Sequence, residues 1–348
     1  LINISQWPGK TRNPLHCLLM TFILLMMLML SGCMTLGPDF VEPAAPIEEQ
    51  WMDTDASGLK AEPSDHSAWW EVLEDPVLNN LIEMASEQNL SLQMAGLRIL
   101  ESRALLGIAI GLQYPQTQSI SGDFSYSKPS KNAPPLSYLP SDMGNSAGST
   151  TDYYKMGFDA AWELDFWGKM RRGVEAADAS LASSIADYDN LMVILAGEVA
   201  STYVVIRTLE QRLDFAHGNV KLQQRSLEIA EIRFREGIST ELDVQQAKSL
   251  LFNTLALIPE LETSIRQAKN SLSVLLGMPP CDLKDLIDSD HSVIPKAPAE
   301  VAIGIPAELM RRRPDIRFAE YQAAAQGALI GVAEAELYPQ FAIGGSIG

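Results

Sequence analysis

Apolar and polar positions follow two different periods along this chain, and the changes of period divide it into elements. Between about Ser67 and Gln116, in WWEVLEDPVLNNLIEMASEQNLSLQMAGLRILESRALLGIAIGLQYPQ, apolar residues recur at helical spacing. Pro76 suits the first turn of a helix, where its missing N–H costs nothing, and Pro115 ends the run. The period then falls to two. In SISGDFSYS, Ile120, Phe124 and Tyr126 alternate with Ser119, Ser121, Asp123 and Ser125. In DYYKMGFDAAWELDF, Tyr154, Met156, Phe158, Ala160, Trp162 and Leu164 alternate with Lys155, Asp159, Glu163 and Asp165. These predict two strands, each with one apolar and one polar face. The Pro-, Ser-, Gly- and Asn-rich stretch between them, 128–151, predicts a long exposed loop.

After Gly173 the helical period returns and persists. Leu181, Ile185, Tyr188, Met192, Leu195, Val199, Thr202, Ile206, Leu209, Leu213, Ala216 and Val220 step by four and three, the a/d signature of coiled-coil packing. From Gly173 to Glu236 there are about 64 residues without proline, roughly 95 Å of unbroken helix. A glycine and a short polar run then interrupt the pattern, in IRFREGISTELDVQQAK. Beyond them Ala247, Leu251, Thr254, Ile258, Leu261, Ile265, Ala268, Leu272 and Leu275 resume it, ending at Gly277 before Pro279 and Pro280. Pro259 should kink or loosen this second helix. The interruption therefore predicts a reversal between two long antiparallel helices.

Near its end the chain repeats itself. NLSLQMAGLRILESRALLGIAIGLQYPQ (89–116) aligns without gaps on RPDIRFAEYQAAAQGALIGVAEAELYPQ (313–340), pairing Ala95 with Ala319, Gly107 with Gly331 and one Tyr-Pro-Gln with the other. Strand-like sequence, FAIGGSIG, follows the second copy as SISGDFSYS follows the first. The implied unit is helix, strand, loop, strand, long helix, turn, long helix.

The amino-terminal segment changes what the strands mean. Lys10 and Arg12 precede the apolar run Leu18 to Leu30, with the charge and length of a signal-peptide core, and Leu30-Ser31-Gly32-Cys33 resembles a bacterial lipobox. On this reading Cys33 is acylated and becomes the first residue of an exported lipoprotein. Met34 follows it, in place of the aspartate that holds many such proteins at the inner membrane, so the outer membrane is the expected address. Removing residues 1–32 takes away two basic residues and no acid, moving the formal charge from −18 to −20. That composition disfavours nucleic acid. Cys17 leaves with the leader and Cys33 carries lipid, so Cys281 has no intrachain partner and no disulfide framework is expected.

Strands of about ten residues with aromatic apolar faces fit a soluble half-buried hairpin or a membrane β-barrel; in an exported, lipid-anchored chain the barrel is preferred. A single hairpin would leave open edges in lipid. Two copies would give four strands, short of the roughly eight at which membrane barrels close, whereas three chains would contribute about twelve.

Taken in order, LSGC, WWEVLEDPVLNNLIEMASEQN, the YPQ junction, WELDFWGKMRRGVEAA, FREGISTELDVQQAK, LSVLLGMPP and IPAELMRRRPDIRFAE resemble one family. It is the outer-membrane channel lipoproteins of bacterial efflux systems, the NodT/OprM-type branch related to TolC. The resemblance implies an α+β membrane protein with long antiparallel α-helical hairpins and transmembrane β-hairpins that form a shared trimeric β-barrel. It implies a homotrimer that conducts small toxic molecules, partnered by a periplasmic adaptor and an inner-membrane pump of the RND type. No cofactor is implied beyond the covalent lipid on Cys33. It also places Gly237, Ile238, Ser239, Thr240, Leu242, Asp243 and Val244 at a periplasmic tip that docks the adaptor and gates the tunnel. There Gly237 would make the reversal and admit another backbone, Ile238, Leu242 and Val244 would pack, and Asp243 would join polar links that keep the entrance closed.

The expected organisation is a leader at 1–32, a lipidated surface tether at 33–66, first-repeat helices at 67–116 and a transmembrane hairpin at 117–165. A helical hairpin at 166–277 turns near 237, an inter-repeat connection occupies 278–306, and a second repeat begins at 307–348. Leu1 in place of methionine and the interruption of the second repeat at Gly348 read as a fragment, truncated at its carboxyl end. Two other functions fit parts of the pattern: a lipid-anchored coiled-coil scaffold without a pore, and a TolC-like channel for secreted protein. An enzyme finds little support. His66, His217 and His291 are isolated, there is no zinc or nucleophile motif, and Asp159, Glu163 and Asp165 suit a hydrated barrel wall better than a catalytic cluster. Arg311, Arg312 and Arg313 are expected to flank a helix start and form salt bridges.

Overall fold

The structure is a computed structural model that describes residues 35–44, 59–60, 67–130, 133–134, 136–138, 150–287, 293–298, 300–302 and 310–348. The leader and Cys33 lie outside the described residues. The elements are β1 (Leu59–Lys60), α1 (Pro76–Gln88), α2 (Leu90–Gly111), β2 (Thr117–Ser127), β3 (Thr151–Leu164), α3 (Lys169–Arg235), α4 (Glu241–Leu275), β4 (Val301–Ala302), α5 (Pro314–Ala335) and β5 (Phe341–Ile347). Two compact units emerge: residues 1–42, 102–181 and 321–348 form the first, and 43–101 and 182–320 the second.

In the second unit the core is helix on helix. Asp75 caps α1, its Oδ1 accepting from the Val77 and Leu78 amides at 2.9 and 3.1 Å, with Pro76 in the first turn. The helical run expected over 67–116 divides at Asn89. That residue ends α1 through its amide to the Ala85 carbonyl (2.9 Å) and starts α2 through Oδ1, which accepts from Leu92 N (3.0 Å). Its side-chain amide donates to the Leu275 carbonyl at 2.9 Å, so one buried polar residue ties three helices together. Leu78, Leu81, Ile82 and Ala85 of α1 pack on Leu195, Val199, Tyr203 and Ile206 of α3 and on Leu272 and Leu276 at the end of α4. Among the described residues α3 is the one helix long and apolar enough by composition to cross a membrane, and Leu195, Val199, Tyr203 and Ile206 on one side of it belong to this core.

The a/d rows pack as a seam. On α4, Leu251, Thr254, Leu261, Ile265 and Leu272 are buried and Ile258 and Ala268 are half-buried. The helix assignment continues through Pro259, which has no amide to offer the Leu255 carbonyl, and Thr263 Oγ1 donates to the Pro259 carbonyl at 2.7 Å. Both long helices end in a Schellman motif. At the end of α4, Met278 N donates to Ser273 O (2.8 Å) and Gly277 N to Val274 O (3.0 Å), with Gly277 at φ +69°.

A chain of polar groups threads this core. Tyr203 donates its hydroxyl to Asp75 Oδ2 (2.8 Å) and accepts from Arg207 Nε (3.1 Å); Arg207 pairs with Glu210, and Glu210 with Lys269. Burial, opposed by the Arg207 hydrogen bond and reinforced by that to Asp75, pushes the Tyr203 phenol up to about 12. Its unfolded counterpart ionises near pH 10, so between pH 10 and 12 the unfolded state has released a proton that the folded state keeps. Stability should fall as pH rises through that window, by at most about 3 kcal/mol. Urea unfolding at several alkaline pH values should show this slope in the wild type and a flatter one in Tyr203→Phe.

In the first unit, β2, β3 and β5 form a three-stranded antiparallel sheet in the order β2-β3-β5. Helix α3 starts where Asp165 accepts from the Met170 and Arg171 amides, both at 3.0 Å. Asp165 is thus a helix cap beyond the end of β3, which corrects its place on a hydrated strand wall. The repeat is visible in the element bounds. Leu90–Gly111 and Pro314–Ala335, and the starts of β2 at Thr117 and β5 at Phe341, all differ by the offset of the sequence alignment. Arg313 pairs with Asp315 at 2.6 Å beside the start of α5.

Candidate functional site

Two features stand out, one in each unit. The first is the reversal between α3 and α4. Gly237, at φ +73°, makes it: Gly237 N donates to Phe234 O (3.0 Å) and Ile238 N to Arg233 O (2.8 Å), the Schellman pattern again. Thr240 is the N-cap residue of α4, and Asp243 Oδ2 accepts from both its backbone N–H and its hydroxyl, each at 2.9 Å. Those two hydrogen bonds, backbone first, and then Arg233 hold the Asp243 carboxyl below its ordinary range. Ser239 Oγ is shielded from solvent and lacks a hydrogen-bond partner.

The structure therefore brings Gly237 to Val244 together in one exposed turn. Ile238 and Leu242 do not pack within this chain; they are 70% and 64% exposed, and Val244 is half-buried. Among the described residues an added Cβ at Gly237 would meet nothing within 4 Å, so the space above the turn is open. Asp243 is engaged by Thr240 as a helix cap, which sequence reasoning missed although T-x-x-D has the spacing of a capping box. Apolar side chains continue up the hairpin from the turn, since Leu222, Ile229, Ile232 and Phe234 on α3 and Leu250, Phe252 and Leu257 on α4 are exposed.

The second feature is the sheet. Its register places Ile120 opposite Phe158, Phe124 opposite Tyr154, Phe158 opposite Ile347 and Trp162 opposite Ile343. One face therefore carries Ile120, Phe124, Tyr154, Met156, Phe158, Trp162, Phe341, Ile343 and Ile347, all of them exposed. On the other face Asp123 lies opposite Lys155 and Ser119 opposite Asp159. The strands, 11 and 14 residues in β2 and β3, are long enough to cross a bilayer. The outer edges of β2 and β5 have no strand partner among the described residues.

Aromatic residues gather where strand gives way to helix. Trp162 Nε1 donates to Gln113 O (3.1 Å) and Trp167 Nε1 to Pro339 O (2.9 Å), so an indole reads each of the two helix-to-strand junctions. Trp167 also lies against Tyr338, and Phe166 against Phe341. Such side chains, apolar in body with a polar tip, suit a membrane–water interface. Among the described residues no group of three or more His, Cys, Asp or Glu is placed to hold a metal ion.

A sheet with an exposed apolar face and a long helical hairpin are features expected of an outer-membrane channel protein. The profile described as "Outer membrane efflux protein" matches residues 81–278, more than half of the chain, and the chain belongs to that family. It is 33% identical to nodulation protein T of Rhizobium leguminosarum bv. viciae over 324 residues, covering 92% of this chain and 62% of that protein. It is 32% identical over 329 residues to the solvent efflux pump outer membrane protein SrpC of Pseudomonas putida, covering 92% of this chain and 66% of that protein. The solved outer-membrane channel OprN matches with a TM-score of 0.79 at 31% identity, over 90% of this chain and 67% of that one. The chain thus spans a little under two thirds of the length of these curated relatives.

Proposed function

We propose that this protein is the outer-membrane channel component of a tripartite efflux system of the RND type. It passively conducts small toxic molecules, such as drugs or metal ions, and makes or breaks no bond itself. The observation that carries the reading is the sheet. Its outward face is apolar and its edges are open, a combination that lipid tolerates only when further strands close it into a barrel. Copies of this chain are the natural source of those strands, and a homotrimer is the assembly that resemblance and strand number favour. Cys33 carries the lipid that anchors the protein in the outer membrane.

In this reading the turn from Gly237 to Val244 is the periplasmic tip. Ile238 and Leu242 supply an apolar contact, and Ser239 Oγ a hydrogen-bonding group, to the helices of a periplasmic adaptor; the inner-membrane pump provides the energy. Docking opens the tip by preferring the open arrangement, since a partner shifts an equilibrium only by its differential affinity. Asp243 serves as cap to α4 in the arrangement seen here and becomes available for other polar links when the turn moves. The test is expression, with a matching adaptor and pump, in a bacterium stripped of its own outer-membrane efflux channel. Restored tolerance of drugs or metal ions is expected; unrestored tolerance, with normal amounts of protein in the outer membrane, would contradict the assignment.

A further inference from the structure

Within the segment expected to lie over the surface as a tether, residues 35–39 are held in place. Leu36 is 7% exposed and its amide donates to the Trp167 carbonyl at 3.1 Å. Arg172, itself 4% exposed, reaches the segment with its guanidinium: Nε donates to Leu36 O (2.9 Å) and Nη2 to Gly37 O (2.9 Å) and to Asp39 Oδ1 (2.8 Å). Glu175 holds the remaining side of the same group through Nη1 at 2.7 Å. A buried guanidinium is costly unless its fork is filled, and here two carbonyls and two carboxylates fill it.

The segment crosses α5 at a glycine. A Cβ on Gly331 would stand 2.5 Å from the Leu36 carbonyl oxygen and 2.9 Å from Arg172 Cγ, and one on Gly37 (φ +86°) would stand 2.4 Å from Gly331 Cα. Two glycines thus let backbone lie on backbone. In the first copy of the repeat the matching residue, Gly107, has nothing within 4 Å of its Cβ position. Among the described residues the strap lies on the second copy.

We propose that residues 35–39 act as a staple that fastens the second copy of the repeat to the first, and that Arg172 closes it. Trp167 and Arg172 belong to the first copy and Gly331 to the second, and α5 leads directly into β5. That strand needs the help. Gly344 and Gly345 lie within it, and among the described residues it pairs with β3 alone. The staple is held by the protein and does not depend on the lipid, which rests on the separate reading of Cys33 and would be tied two residues ahead of this seat.

Hydrogen exchange read by mass spectrometry on the whole protein tests this. In Arg172→Met, residues 35–39 and 341–347 should exchange about ten-fold faster or more than in the wild type, while residues 117–127 stay protected and report an intact hairpin. Gly37→Val, whose side chain would collide with the α5 backbone at Gly331 and lift the strap while leaving Arg172 in place, should do the same should Arg172→Met fail to fold. Cys33→Ser should leave both segments protected. Release of the strap without faster exchange in 341–347 would overturn the staple, as would unchanged exchange in both variants or loss of strap protection in Cys33→Ser. Intact mass reports acylation in the same samples. An unacylated Cys33 beside a protected strap would sink the anchor reading and leave the staple standing.

Discussion

Replacing Gly277 with valine is expected to destabilise the helical unit by about 3 kcal/mol, measured by urea unfolding of the purified protein. Two costs combine. The backbone there is left-handed, φ +69°, which an L side chain adopts at a cost of about 1–2 kcal/mol. A Cβ would also stand 2.2 Å from the Gln88 carbonyl oxygen, where α1 ends, and forcing that backbone aside costs about 1–3 kcal/mol more. Asn89, next to Gln88, donates to the Leu275 carbonyl, so a shift here also disturbs the hydrogen bond that holds three helices. A change below about 0.5 kcal/mol, the size usual for surface substitutions, would mean that this contact is not as close as described.

Replacing Gly237 with tryptophan is expected to do the reverse: little to stability and much to function. The left-handed backbone, φ +73°, again costs about 1–2 kcal/mol, but the space around the position is open. The chain should still fold and assemble. A large side chain at the apex would stand between Ile238 and any helix that docks on it. Efflux should therefore fall to the level of cells without the channel, read as drug or metal-ion susceptibility alongside the amount of assembled protein. Susceptibility equal to that of the wild type would remove the turn from the docking surface.

The contrast between these glycines shows what the sequence reveals and where it stops. Both are legible as helix ends, because each follows a long a/d pattern and the left-handed position of a Schellman motif favours glycine. Sequence cannot distinguish them further: one lies against the end of α1 and the other against nothing, and that difference depends on contacts far apart in the chain. The strand period was legible for a local reason, since alternation in Ile120 to Tyr126 and Tyr154 to Leu164 appears wherever one face must differ from the other. So was the repeat, whose offset recurs in the element bounds.

What escaped was polar. Asn89 sits in a run whose apolar spacing continues straight through it, and only its residue type, common at helix caps, hinted at a break. Asp165 continues the alternation of β3 by spacing but turns to cap α3, because strand period says nothing about where the strand stops. The strap was read as a tether from its prolines and irregular composition; its seat is formed by Arg172 and Gly331, residues with no local signal toward Leu36. The exposed Ile238 and Leu242 differ again. Their apolar character is legible, and no packing within one chain satisfies it.

The central claim is that copies of the β2-β3-β5 sheet close around a pore. Single-channel recording of the purified protein in a planar lipid bilayer addresses it most directly. Stepwise ionic currents through stably inserted protein are the predicted result. A bilayer that stays ion-tight, with insertion of the protein verified in the same membranes, would contradict the account and favour a lipid-anchored scaffold without a pore.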